Sequence, residues 1–118
     1  MGSSDAGISW SIKNGDLEEV KKKVTKANVN EAVGNRKPLH FAADYGQLEI
    51  ISYLASIGAA IDAKDEHGIT PLLAAIWENH LEAVRLLLSL NASKEGKAPD
   101  GKSYLESADS EEMRSLLV

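Results

Sequence analysis

Histidines are the residues of this sequence best suited to acid–base chemistry or to metal binding. The three of them, His40, His67 and His80, are isolated from one another, and no His-Glu-x-x-His or Gly-x-Ser-x-Gly motif is present. The sequence has no cysteine, which excludes disulfides, thiolate nucleophiles and cysteine-based zinc or iron–sulfur sites. We therefore predict that the protein is not an enzyme and has no catalytic residue, no metal site and no cofactor.

Residues 62–68 have the acidic composition of a calcium-binding loop but not its spacing. Such a loop needs oxygen ligands at alternate positions and a glycine at a fixed place in the turn. Lys64 interrupts the alternation, and Gly68 is displaced from the position that the turn requires. We predict that this stretch binds no metal ion.

Charge is unevenly distributed along the chain. Of 118 residues, 13 are Lys or Arg and 18 are Asp or Glu, a net charge of −5, and residues 44–82 hold seven acids against one base, Lys64, which gives −6. The lysines at 21–23 and Lys26 flank the apolar positions of a helix and are interpreted as its solvated face. The acidic excess favours a basic protein surface as the partner over nucleic acid. No apolar run approaches the ~20 residues that cross a bilayer, so we predict no membrane partner.

The elements that position these residues repeat along the chain. Residues 38–49 align with 71–82 at an offset of 33, and 68–72 align with 101–105 at the same offset. Residues 14–18 align with 45–49 at an offset of 31. We predict one domain over residues 1–118, made of an N-terminal cap repeat (about 5–33), two full repeats (about 34–66 and 67–99) and a C-terminal cap repeat (about 100–118).

Each repeat is predicted to be a pair of short helices. In the repeat at 67–99, Thr70 has the hydroxyl of an N-cap, and Pro71 suits the first helical position, where a missing N–H is tolerated. Asn79 stands where the other repeats have glycine, so it is predicted to end the helix in a left-handed conformation. A second apolar stripe begins at Leu81. One such pair cannot bury its apolar face alone, so the repeats must stack.

These residues resemble the ankyrin-repeat family. The match is closest at 38–43, Pro-Leu-His-Phe-Ala-Ala, and at 69–75, Ile-Thr-Pro-Leu-Leu-Ala-Ala, and it departs from the family pattern at Lys37, Leu73 and Asn79. The resemblance implies an all-α solenoid of about three and a half to four stacked helix–turn–helix repeats with finger loops. It also implies a binding function, with His40 forming hydrogen bonds within and between repeats.

The family pattern also indicates where a partner would bind. In ankyrin arrays the two variable residues inside each repeat motif and the tips of the fingers line the concave surface, and here several of them are aromatic or acidic, as in interface hot spots. Trp10 aligns with Phe41 and Ala74, and the sequence leaves open whether it packs or contacts the partner. The predicted protein-binding residues are Asp44, Tyr45, Trp77, Glu78, Glu66, His67, Ile69, Trp10 and Arg36.

A narrower resemblance concerns residues 10–17, 36–50, 69–73 and 99–101. They are similar to those of small stand-alone ankyrin proteins that bind the heterodimeric actin capping protein and keep it off filament barbed ends. This resemblance implies a protein that promotes filament growth. We expect a monomer that is located in the cytoplasm and also in the nucleus. Two other kinds of partner remain open, since small ankyrin proteins also inhibit cyclin-dependent kinases or bind Rel-type transcription factors.

Overall fold

Helices make up the regular structure of the chain. The computed structural model describes residues 7–118, so residues 5 and 6 of the predicted first repeat lie outside the described part. This part contains eight helices: α1 (Ile8–Lys13), α2 (Leu17–Lys23), α3 (Pro38–Asp44), α4 (Leu48–Ser56), α5 (Pro71–Trp77), α6 (Leu81–Ser89), α7 (Tyr104–Ser107) and α8 (Glu111–Leu117).

The helices form two layers. The first helices of the repeats, α1, α3, α5 and α7, pack on one another in order, and the second helices, α2, α4, α6 and α8, form the other layer. Helices of four to nine residues are too short to be stable alone, so this stacking is what stabilises them. The all-α ankyrin solenoid is confirmed, and the molecule measures 41 × 24 × 21 Å.

The sequence signals for the helix ends are confirmed. The Thr70 hydroxyl accepts a hydrogen bond from the Leu73 N–H at 3.2 Å, and Pro71 is the first residue of α5. Asn79 has a φ of 57°, the left-handed conformation that its alignment with glycine predicts. In the last repeat Ser103 and Glu106 cap each other's backbone N–H groups.

Hydrogen bonds between repeats recur at the repeat period. The Gln47 side chain donates to the carbonyl of Lys13 at 2.9 Å, and the His80 ring nitrogen Nε2 donates to the carbonyl of Asp44 at 2.9 Å. On the other side of the stack, the Asn30 side chain accepts from the Ala60 N–H, and Asp62 accepts from the N–H of Ser93. The first three repeats are therefore held to one another by polar contacts as well as by the apolar core.

The core runs through the whole stack. Six consecutive residues of the third repeat, 71–76, are buried, because α5 is covered by α3, α6 and α7. The largest fully buried apolar side chains come from all four repeats: Ile12, Ile50, Ile51, Leu54, Leu72, Leu73, Ile76, Leu87 and Met113.

Gly46 combines a left-handed backbone conformation with a close approach to the next repeat. Its φ is +67°, and a Cβ there would lie 2.9 Å from the imidazole of His80. Gly34 has a similar φ of +74° with open space around it. We expect Gly46→Ala to lower the free energy of unfolding by about 3 kcal/mol and Gly34→Ala by about 1 kcal/mol, as measured by urea unfolding. Equal losses in the two variants would contradict the steric role of Gly46.

Candidate protein-binding surface

Three aromatic side chains are exposed on the layer of first helices. Tyr45 follows the last residue of α3, and Trp77 is the last residue of α5, so the two lie at the same ends of neighbouring helices. Tyr45 is 39% exposed and Trp77 is 42% exposed. Asp44 and Glu78 flank them in the chain, and these four residues are called the helix-end cluster below.

Trp10 lies on α1 and is 65% exposed. The residues aligned with it are more covered, Ala74 being buried and Phe41 partly buried. The difference follows from position, since α1 has a neighbouring first helix on one side only within the described residues. Trp10 is therefore accessible to a partner rather than packed.

Hydrogen bonds fix the end of α3, which carries Asp44 and Tyr45. His80, the residue at the N-cap position of α6 in the next repeat, donates from its ring Nε2 to the carbonyl of Asp44, and the N–H of Tyr45 bonds to the Phe41 carbonyl at 3.0 Å. Because the Asp44 carbonyl and the Tyr45 N–H are both hydrogen-bonded, the backbone that carries the Tyr45 ring has a fixed position. A rigid aromatic group loses little conformational entropy when a partner covers it.

Arg36 connects the helix-end cluster to the finger of the next repeat. Its Nη1 atom lies 3.5 Å from the Asp44 carboxylate, and its Nε atom lies 3.8 Å from the carboxylate of Asp65. The segment 44–82 therefore presents less negative charge than its sequence suggests. Arg36 stands outside the counted segment, which is why a count along the chain does not reveal this pairing.

The finger that carries Glu66, His67 and Ile69 is held by an acidic side chain. The Asp65 carboxylate accepts hydrogen bonds from the His67 N–H at 2.8 Å and the Ile69 N–H at 3.0 Å. Glu66 also donates its backbone N–H to the carbonyl of Asn35 in the preceding finger. Glu66 and His67 are exposed, whereas Ile69 is half-buried and packs against the core, so Ile69 offers less surface than its neighbours.

His40 is fully buried and has structural partners on both ring nitrogens. Its Nδ1 atom accepts from the Lys37 N–H at 3.1 Å, and its Nε2 atom lies 3.0 Å from the carbonyl of Ala63 and 2.8 Å from that of Ile69. A backbone N–H only donates and a carbonyl only accepts, so the ring is the neutral tautomer with its proton on Nε2. His40 thus ties the start of α3 to the finger loop.

Burial lowers the pKa of His40 below its ordinary value of 6.5, against the opposing effects of the Ile69 carbonyl and the Asp65 carboxylate. The unfolded chain therefore takes up a proton before the folded one as the pH falls below 6.5. We expect the contribution of neutral, buried His40 to the free energy of unfolding to be complete above pH 6.5. Below that pH the free energy of unfolding should fall by at most about 1.4 kcal/mol per pH unit.

Urea unfolding between about pH 7.5 and 5.5, a range that spans the ordinary histidine pKa, measures this dependence. His40→Ala removes the buried imidazole, so its stability falls less steeply with acidification than that of the wild type. His67→Gln alters an exposed histidine and serves as the control. Parallel curves for the wild type and His40→Ala would contradict the assignment.

A groove lies on the opposite layer, between α4 and α6. It has a volume of about 450 Å³ and is lined by Leu48, Ser52, Glu82, Arg85, Leu86 and Ser89. It contains no aromatic residue, and its two charged residues pair with each other at 3.6 Å. The layer of first helices is therefore the better candidate for a protein interface.

Residues 7–118 contain no group of three or more His, Asp or Glu side chains that could hold a metal ion. No helix within those residues has the length and apolar character to cross a membrane.

The family described as "Ankyrin repeats (3 copies)" matches residues 8–98. The chain is therefore an ankyrin-repeat protein, a class of protein-interaction modules. Myotrophin of Xenopus tropicalis is 50% identical over 115 residues, which cover 96% of this chain and 98% of that relative. Myotrophin of Rattus norvegicus is 51% identical over 115 residues, with the same coverage of both chains. Within the ankyrin-repeat class, the chain belongs to the myotrophin family.

Proposed function

We propose that this protein is a non-enzymatic module that binds the heterodimeric actin capping protein and keeps it off filament barbed ends. The observation that carries the proposal is the helix-end cluster, in which Tyr45 and Trp77 are half-exposed at the same ends of neighbouring helices beside Glu78. Membership of the myotrophin family supports this choice of partner. The proposal locates the protein in the cytoplasm, where actin filaments assemble.

The mechanism is steric and electrostatic competition for a basic surface. A protein that docks on acidic actin presents basic groups, and the exposed Glu66 and Glu78 are suited to receive them. Tyr45 and Trp77 supply apolar area to bury. A standard interface of roughly 1,600 Å² in total fits on three repeats. Charge attraction of this kind mainly speeds association, so the association rate should fall as salt is added.

Elongation of pyrene-labelled actin from capped seeds tests the proposal. We expect the protein to restore filament growth in a dose-dependent way and to leave growth from uncapped seeds unchanged. No recovery at a dose that saturates would overturn the proposed function. A pull-down that recovers a kinase or a Rel-type factor instead of the capping heterodimer would favour the other ankyrin functions.

A further inference from the structure

Arg36 lies where the helix-end cluster meets the finger 65–69. Its side chain is only 21% exposed, and it contacts the carboxylates of Asp44 and Asp65 at 3.5 and 3.8 Å. Its guanidinium carbon lies 5.1 Å from the centre of the Phe41 ring, which covers one face of the planar group. A third nitrogen, Nη2, lies 3.5 Å from the carbonyl of His40.

The contact with Asp65 bears on the shape of the finger. The Asp65 side chain is 1% exposed, and it accepts the backbone N–H groups of His67 and Ile69. Arg36 is the cation that faces this buried carboxylate at close range. Removing one partner of a buried ion pair leaves an uncompensated charge, so the Asp65 carboxylate would be drawn out towards water. That movement weakens its hold on the finger.

The contact with Asp44 bears on the charge that a partner meets. A carboxylate already paired with arginine attracts a further cation less than a free one. The acidic residues of this surface therefore fall into two groups. Asp44 is paired with Arg36, whereas Glu66 and Glu78 appear in no ion pair within residues 7–118.

We propose that Arg36 is a positioning residue that holds the finger 65–69 in its binding shape and leaves Glu66 and Glu78, rather than Asp44, to receive the basic groups of the partner. The statement that Glu66 and Glu78 receive the partner, called the choice of acids below, rests on the proposed function. The statement that Arg36 holds the finger 65–69, called the control of the finger, does not. Arg36 was among the residues predicted to touch the partner, and this proposal gives it a role that acts through its neighbours.

Arg36→Met tests the proposal because it keeps an apolar stem against Phe41 and removes the charge. Arg85→Met is the matched control, since it makes the same change in net charge at an exposed pair on α6. Arg36→Lys keeps a cation without the planar fork.

The first measurement is hydrogen exchange of the His67 and Ile69 backbone amides, which needs no partner. We expect exchange about tenfold faster in Arg36→Met, partial recovery in Arg36→Lys and no change in Arg85→Met. Wild-type exchange rates in Arg36→Met would overturn the control of the finger.

The second measurement is affinity for purified capping protein at about 50 and 200 mM salt, a range over which exposed charges are progressively screened. We expect Arg36→Met to weaken binding about tenfold relative to Arg85→Met, and Glu78→Gln to weaken it more than Asp44→Asn. Equal affinities of the two arginine variants would overturn the link between the finger and binding, and a larger effect of Asp44→Asn would overturn the choice of acids. A wild-type chain that does not bind would overturn the proposed function together with that choice, while the exchange result still decides the role of Arg36 in the finger.

Discussion

Trp77→Ala is expected to weaken binding to capping protein by about 2 kcal/mol or more, roughly thirtyfold in dissociation constant. Trp77 is the largest side chain of the helix-end cluster, and 42% of it is open to solvent at the end of α5. Large aromatic residues that a partner covers completely account for most of the binding energy in typical interfaces. The loss should be mainly in the dissociation rate, because Trp77 contributes apolar contact and no charge.

Leu48→Ala is the control for this experiment. Leu48 is 40% exposed, close to the exposure of Trp77, but it lies on α4 in the layer of second helices. We expect its affinity to stay within about 0.5 kcal/mol of the wild type, as surface substitutions outside an interface usually do. Calorimetric titration measures both affinities, and thermal unfolding verifies that each variant is folded. Unchanged affinity in a folded Trp77→Ala variant would remove Trp77 from the proposed interface.

The repeat period made most of the fold predictable from the sequence. Helix starts and ends are local signals: a hydroxyl followed by proline at Thr70-Pro71, and a residue that accepts positive φ at Asn79. Because these signals recur at an offset of 33 residues, an assignment in one repeat supports the assignment in the next.

The pairing of charges was not predictable in the same way. Arg36 meets Asp44 and Asp65, which are 8 and 29 residues away along the chain, through the packing of a finger on a helix. A count of charge over residues 44–82 leaves out Arg36, and it includes Asp65, which is buried and turned towards its own finger. The helix period indicates which residues are exposed, but it does not indicate which exposed charges are already paired.

The exposure of Trp10 was open for a related reason. Its alignment with Phe41 and Ala74 leaves open whether a neighbouring repeat covers it, and within residues 7–118 the first repeat packs against a neighbouring repeat on one side only. Sequence periodicity describes a repeat in the middle of the stack and is least informative at its ends. The end of the stack is therefore where the structure adds most to the interpretation of the site.

His40→Ala is expected to lower the free energy of unfolding by about 3–4 kcal/mol, out of the 5–15 kcal/mol typical of a domain. The Lys37 N–H and the Ala63 carbonyl lose the imidazole as their partner. The Ile69 carbonyl also loses it but still accepts from the Asp65 N–H at 3.0 Å. Each buried polar group left without a partner costs about 1–3 kcal/mol, and the vacated volume adds the cost of a cavity.

His67→Ala is the control for stability, because His67 is exposed on the finger and its loss should cost no more than about 0.5 kcal/mol. Urea unfolding at pH 7.5, where an ordinary histidine with a pKa of about 6.5 is neutral, measures both variants. A loss below about 1 kcal/mol in His40→Ala would contradict the structural role of the imidazole.

The neighbouring repeat offers a way to separate packing from hydrogen bonding at His40. Leu73 occupies the equivalent position there, and the Thr70 hydroxyl caps α5 where Lys37 offers no side-chain cap to α3. His40→Leu fills the volume without the hydrogen bonds, so it should remain about 2 kcal/mol less stable than the wild type. Adding Lys37→Thr copies the Thr70–Leu73 arrangement and should recover about 1 kcal/mol, the usual value of an N-cap. The stability of this double variant should stay below that of the wild type, because the Ala63 carbonyl still lacks its imidazole donor. Wild-type stability would mean that His40 stabilises the fold only by capping α3.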